Sequence, residues 1–105
     1  MIGAQTNCVW NSVLCAATWG QVKGDEVRIA VTSIQTGLDH AQAQAKINGI
    51  WTPLTERWTG QFMEIIPFQS HYPDKEPYRY LILEEWIDEQ IQFTVPSDHL
   101  IIKRT

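Results

Sequence analysis

The sequence predicts an α+β fold: one N-terminal helix packed on an antiparallel sheet of five or six strands. Three observations carry this. A single stretch of helical periodicity, Val9 to Thr18, lies near the N-terminus. Beyond Gly24 the pattern changes to short segments of period two. Those segments are joined by tight-turn signals, of which Asn48-Gly49 is the strongest. With 105 residues, no internal repeat and no linker, the chain reads as a single domain, residues 1–105.

Thr6 or Asn7 is the expected N-cap, which puts Cys8 at the first helical position. Val9, Trp10, Val13, Leu14 and Ala17 form an apolar stripe. Cys8, Asn11, Ser12, Cys15 and Trp19 fall beside it on a more polar flank. Gly20 and Gly24 are the signals that close the helix. Val27 to Thr32 alternates as a strand, Gly37 turns the chain, and His40 opens the next strand. In that strand His40, Gln42, Gln44 and Lys46 face one way, and Ala41, Ala43, Ala45 and Ile47 the other. Asn48-Gly49 leads into Ile50 to Leu54, where Pro53 argues for an edge or a strand end. Phe62 to Phe68 reads as a strand and Gln69 to Pro77 as a surface connection. Tyr78 to Trp86 reads as a strand, with Leu81 to Gln90 as a helical alternative. Ile91 to Val95 and Leu100 to Lys103 close the chain around a Pro96-Ser97-Asp98 turn.

The formal net charge is −4 and the eight Lys and Arg residues are scattered, which argues against nucleic acid and anionic membrane as partners. The apolar run Cys8 to Trp19 lacks the charged region that precedes a signal sequence and is too short to cross a bilayer. A cytoplasmic protein is expected. Cys8 and Cys15 on one helix stand about 10 Å apart, beyond disulfide reach, so both are read as thiols. Cys8, Cys15, His40, His71 and His99 lack the paired spacing of a zinc site, so neither metal nor cofactor is expected. Glu84, Glu85, Asp88 and Glu89 read as a solvated face.

A thiol at a helix start and an imidazole on a nearby strand are the two parts a cysteine nucleophile needs. The order is helix with N-terminal Cys8, strand, strand opening with His40, Asn-Gly hairpin, strand. The run His40-Ala41-Gln42-Ala43-Gln44-Ala45-Lys46-Ile47-Asn48-Gly49-Ile50-Trp51-Thr52-Pro53-Leu54-Thr55 continues it without a gap. Over residues 7–56 this resembles the core of the transglutaminase-like superfamily, with its His-Ala-Trp strand, tight turn, Trp and Leu-Asp ending. The resemblance implies a papain-like centre with Cys8 as nucleophile, His40 as general base and Thr55 at the position of the orienting acid. Thr55 is not a carboxylate, and Gln42 stands where the family has Trp. Glu56 is adjacent to Thr55, but on a regular strand it points to the opposite face.

The implied chemistry is acyl transfer on an amide of a peptide or protein substrate. Backbone N–H groups at the helix start would hold the oxyanion, assisted by Gln5. The second reading is a non-catalytic binding domain, its function carried by an aromatic and acidic surface around Trp51, Trp58, Tyr78, Tyr80 and Trp86.

Overall fold

The computed structural model describes residues 2–94, and the side chains of residues 8–92. Helix α1 (Ile2–Lys23) precedes the strands β1 (Val27–Gln35), β2 (Leu38–Ile47), β3 (Ile50–Thr59) and β4 (Phe62–Pro67). Strand β5 (Arg79–Leu81) and helix α2 (Leu83–Thr94) follow. The sheet is antiparallel in the order β4-β3-β2-β1-β5. Four strands form a meander, and the fifth returns to the free edge of β1. The expected α+β class, a single N-terminal helix on an antiparallel sheet, is the observed one.

Local chemistry accounts for the boundaries. Gly24 ends α1 in the left-handed region (φ 75°), and its N–H donates to Gly20 O at 3.0 Å. Gly20 itself lies inside the helix rather than closing it. Asn48 (φ 53°) and Gly49 (φ 81°) both take positive φ, as the two-residue turn between twisted strands requires. The Glu85 carboxylate accepts a hydrogen bond from the Ile82 N–H at 3.2 Å, half of a capping box at the start of α2.

Three expectations are corrected. Helix α1 starts at Ile2, so Cys8 is its seventh residue and not its first. The expected strand from Ile91 falls in α2, because the stretch from Leu83 keeps helical spacing and buries Trp86 against the core. Pro53 lies on a strand flanked on both sides, not on an edge. The Pro96-Ser97-Asp98 turn and the strand Leu100 to Lys103 lie outside the described residues.

The core forms where α1 crosses the sheet. Ala41, Ala43 and Ala45 of β2 are buried in a row, flanked by Ile29, Val31, Leu54 and Leu81. Against that row the helix sets Ser12, Cys15, Ala16 and Trp19, all buried. The packing surface is therefore centred on the flank that the sequence marks as more polar, with Val9 and Val13 of the stripe packed at its border. Trp10 and Leu14 of the apolar stripe are 45% and 40% exposed. A row of alanines leaves a shallow groove, and small residues on the helix let the two backbones approach without a void. Trp19 closes one end of the groove, its Nε1–H donating to Asp25 Oδ2 at 2.8 Å.

The opposite face of the sheet is covered as well. Residues 68–78 cross it between β4 and β5, bringing the Tyr72 and His71 rings 5.0 and 5.6 Å from the ring of His40. Further along, the Arg28 guanidinium stacks between Trp51 and Tyr80 at 4.1 and 3.9 Å, and its Nε–H donates to Gln44 Oε1 at 2.7 Å. Gln42 and Gln44 are consequently as buried as the alanines that alternate with them.

Truncating the buried Trp19 and the exposed Leu14 has unequal consequences. Trp19→Ala costs about 3–5 kcal/mol of unfolding free energy, whereas Leu14→Ala costs less than about 1 kcal/mol. Chemical denaturation of the two variants measures the difference directly.

Candidate functional site

The site is built around a gap in the sheet. Strands β2 and β3 pair from the Asn48-Gly49 turn as far as Gln44 and Pro53. Pro53 has no N–H to continue the ladder. Its carbonyl turns instead to the 68–78 connection, accepting from the Phe68 N–H at 3.0 Å. Beyond that point β3 pairs with β4 alone, from Leu54 to Thr59. Continuing the β2–β3 register sets Thr55 across from Gln42.

A cavity of about 30 Å³ occupies this gap. From the helix side it is bordered by Cys8, Asn11, Ser12 and Cys15; from the strands by His40, Gln42 and Thr55; from the connection by His71. Cys8 enters from the helix-packed face, whereas His40 alternates with Ala41 and belongs to the other face. The two border the same gap from opposite faces of the sheet. Cys8 and Ala41 also border a larger cavity of about 510 Å³, with Asp39, Tyr78, Trp86 and Glu89 on its walls. There the Tyr78 hydroxyl donates to Asp39, and Arg79 Nη1 donates to Glu89 Oε1 at 3.2 Å. Cys8 thus stands where the two cavities adjoin.

The two thiols differ. Cys8 is half-buried, while Cys15 is 1% exposed. Burial, reinforced by the negative charge of Glu56, pushes the Cys15 thiol up to about 11, so it stays protonated at neutral pH. Glu56 therefore acts on the helix side of the sheet, as strand alternation requires, and not on His40. Burial also lowers the His40 pKa from its ordinary 6.5, and the neighbouring His71 lowers it further. His40 is neutral at physiological pH.

Of the residues singled out from sequence, Cys8, His40 and Thr55 border one cavity. Gln5 lies in the first turn of α1, and its side chain is outside the described residues. The early start of α1 removes one expectation. A residue seven positions into a helix has its N–H in the i→i−4 ladder, so the N–H of Cys8 is not a helix-start donor. The helix dipole, which fades within the first turn, likewise gives Cys8 little help. Sequence reasoning did not bring to this site His71, read as part of a surface connection, or Gln42, placed on the His40 face and noted as a replacement for Trp. Gln42 was within reach of the alternation, since it shares the His40 face two residues on.

The aromatic residues of the second reading do not form one surface. Trp86 is buried in the core, Trp51 lies half-buried beside Arg28, and Trp58, Tyr78 and Tyr80 are exposed. Among the described residues no helix is long and apolar enough to cross a membrane. No family model, curated protein or solved structure matches the chain.

The depressed His40 pKa has a thermodynamic consequence. A base whose folded pKa lies below its unfolded value binds fewer protons when folded, so stability rises with pH through that interval. The His40 contribution is fully present above about pH 6.5 and is lost as pH falls from there toward the folded pKa. His40→Gln flattens that part of the acid limb, as read from urea midpoints between about pH 5 and 8.

Proposed function

We propose that this protein is a small transglutaminase-like cysteine acyltransferase or hydrolase acting on an amide or peptide bond. The observation that carries the reading is the shared cavity. Three residues separated along the chain and matched to a Cys/His/acid centre, Cys8, His40 and Thr55, border one space of about 30 Å³.

The Cys8 thiol loses its proton to the neutral His40 ring, and the sulfur attacks the substrate carbonyl. The imidazolium then protonates the leaving amine as the thioester forms, and water or a second amine resolves it. The larger cavity is the side from which an acyl group reaches Sγ. Burial keeps the His40 ring uncharged and so free to accept a proton, but the same burial makes it a weaker base. Thr55 offers its hydroxyl to hold the imidazole tautomer but cannot stabilise the imidazolium as a carboxylate does. Slow turnover follows.

Alkylation by iodoacetamide, located by mass spectrometry, tests the reading. Cys8 reacts below pH 8, Cys15 reacts only on unfolding, and His40→Ala slows Cys8 at least about tenfold. A Cys8 no faster than a free thiol, or indifferent to His40, sinks the proposal.

Replacing the hydroxyl by the missing acid gives a gain-of-function test. Thr55→Asp raises the His40 pKa, visible by NMR titration, and speeds acylation of Cys8 by 4-nitrophenyl acetate about tenfold or more.

A further inference from the structure

We propose that Gln42 supplies the oxyanion donor of this site, a role that rests on the Cys8–His40 reading above. Among the described residues, the buried side-chain donors without a hydrogen-bond partner are Gln42 Nε2 and Trp86 Nε1. Gln42 borders the small cavity and Trp86 the larger one. An unpaired buried amide costs on the order of 1–3 kcal/mol, so a fold that keeps one carries a penalty that no packing need explains. Leucine or methionine would fill the same volume without it.

The position of Gln42 gives that donor a use. It lies between His40, two residues earlier on the same face, and Thr55, across the gap in β3. The helix N–H groups that serve as oxyanion donors in such sites are engaged here, because α1 begins at Ile2. A cavity of about 30 Å³ admits one small polar group the size of a water or a carbonyl oxygen, and little more. The carbonyl oxygen of the substrate enters this cavity while the acyl group lies in the larger one.

The step balances. The Cys8 sulfur forms the new C–S bond, its proton passes to His40, and the carbonyl π pair moves to the oxygen. Gln42 Nε2–H donates to that oxyanion. On collapse the C=O re-forms, the C–N bond breaks, and the departing amine takes the proton from His40. The ligand class is therefore an uncharged acyl group whose carbonyl becomes tetrahedral, in preference to an alkylating electrophile that never forms an oxyanion.

Two probes on the full chain separate these chemistries. 4-Nitrophenyl acetate acylates Cys8 through a tetrahedral oxyanion, whereas iodoacetamide alkylates it by direct displacement. Gln42→Leu is expected to slow Cys8-dependent acylation about 100-fold and to leave the alkylation rate and its pH profile in place. The thermal midpoint of this variant equals or exceeds that of the unaltered protein, since the unpaired amide is gone. Gln42→Met repeats the measurement with an unbranched chain of similar length. Unchanged acylation with normal alkylation overturns the assignment while leaving the Cys8–His40 pair standing. So does an equal loss of both rates, or unfolding of both variants, each of which makes Gln42 a structural residue. If the unaltered protein shows no His40-dependent reactivity at Cys8, the underlying cysteine chemistry falls first.

Discussion

The closeness of α1 to β2 is the constraint on which the rest of the structure depends. Three alanines in alternate positions of β2 present almost no side-chain height. A helix lying on them must offer small residues, and Ser12, Cys15 and Ala16 are the ones it offers. That choice fixes the rotation of α1 about its own axis. Cys8, one turn before Ser12 on the same side, is thereby carried to the Ala41 end of the row, where both cavities begin. A bulkier β2 would turn or lift the helix and take the thiol away from the strand that carries His40.

The second constraint is the loss of pairing at Pro53. In an unbroken sheet, residues on opposite faces are separated by the backbone layer, and a thiol on one side never addresses an imidazole on the other. Where β2 and β3 part, that barrier opens. The helix-facing Ala41, Ala43 and Leu54 and the oppositely facing His40, Gln42 and Thr55 then line one space. The 68–78 connection closes the far side, held at one end by Phe68 on Pro53 and at the other by the Tyr78 N–H donating to Val31 O at 2.9 Å. Covering that face buries Gln42 and half-buries His40. Burial in turn leaves the Gln42 amide unpaired and holds His40 neutral.

The parts of the fold legible in the sequence were those set by local chemistry. The Asn48-Gly49 turn, the alternation of β2 and the Gly24 cap depend on residues within a few positions of one another, and pattern reasoning reads them well. The packing face of α1 was not legible, because apolar character marks Trp10 and Leu14 while the decision belongs to the alanines of a strand some thirty residues away. The start of α1 was misread for a related reason. Thr6 and Asn7 are good caps in isolation, but a cap signal does not prevent a helix from beginning earlier. The proposed trio of Cys8, His40 and Thr55 rests on motif order, which carries no information about faces. That His40 and Cys8 border one cavity from opposite faces could not be read without knowing where Pro53 ends the ladder. His71 was invisible, since a histidine in a Pro- and Asp-rich connection carries no periodicity.

These constraints determine how a thiol could be activated here. Of the usual devices, a helix N-terminus, an orienting carboxylate and a neighbouring base, α1 removes the first by starting six residues early, and Thr55 removes the second. Only the base remains, and its surroundings favour the uncharged form. On the proposed reading, transfer of the proton to His40 accompanies attack on the substrate. Such a centre depends more heavily on stabilising the charge that develops on the substrate. It is consistent with that reading that Gln42, whose buried Nε2 has no hydrogen-bond partner, borders the small cavity together with His40 and Thr55. Cys15, on the same wall, is sealed against the alanine row and lies near the charge of Glu56, so it keeps its proton and serves the core. Two thiols seven residues apart thus differ in burial, Cys15 sealed in the core and Cys8 half-buried at the cavities.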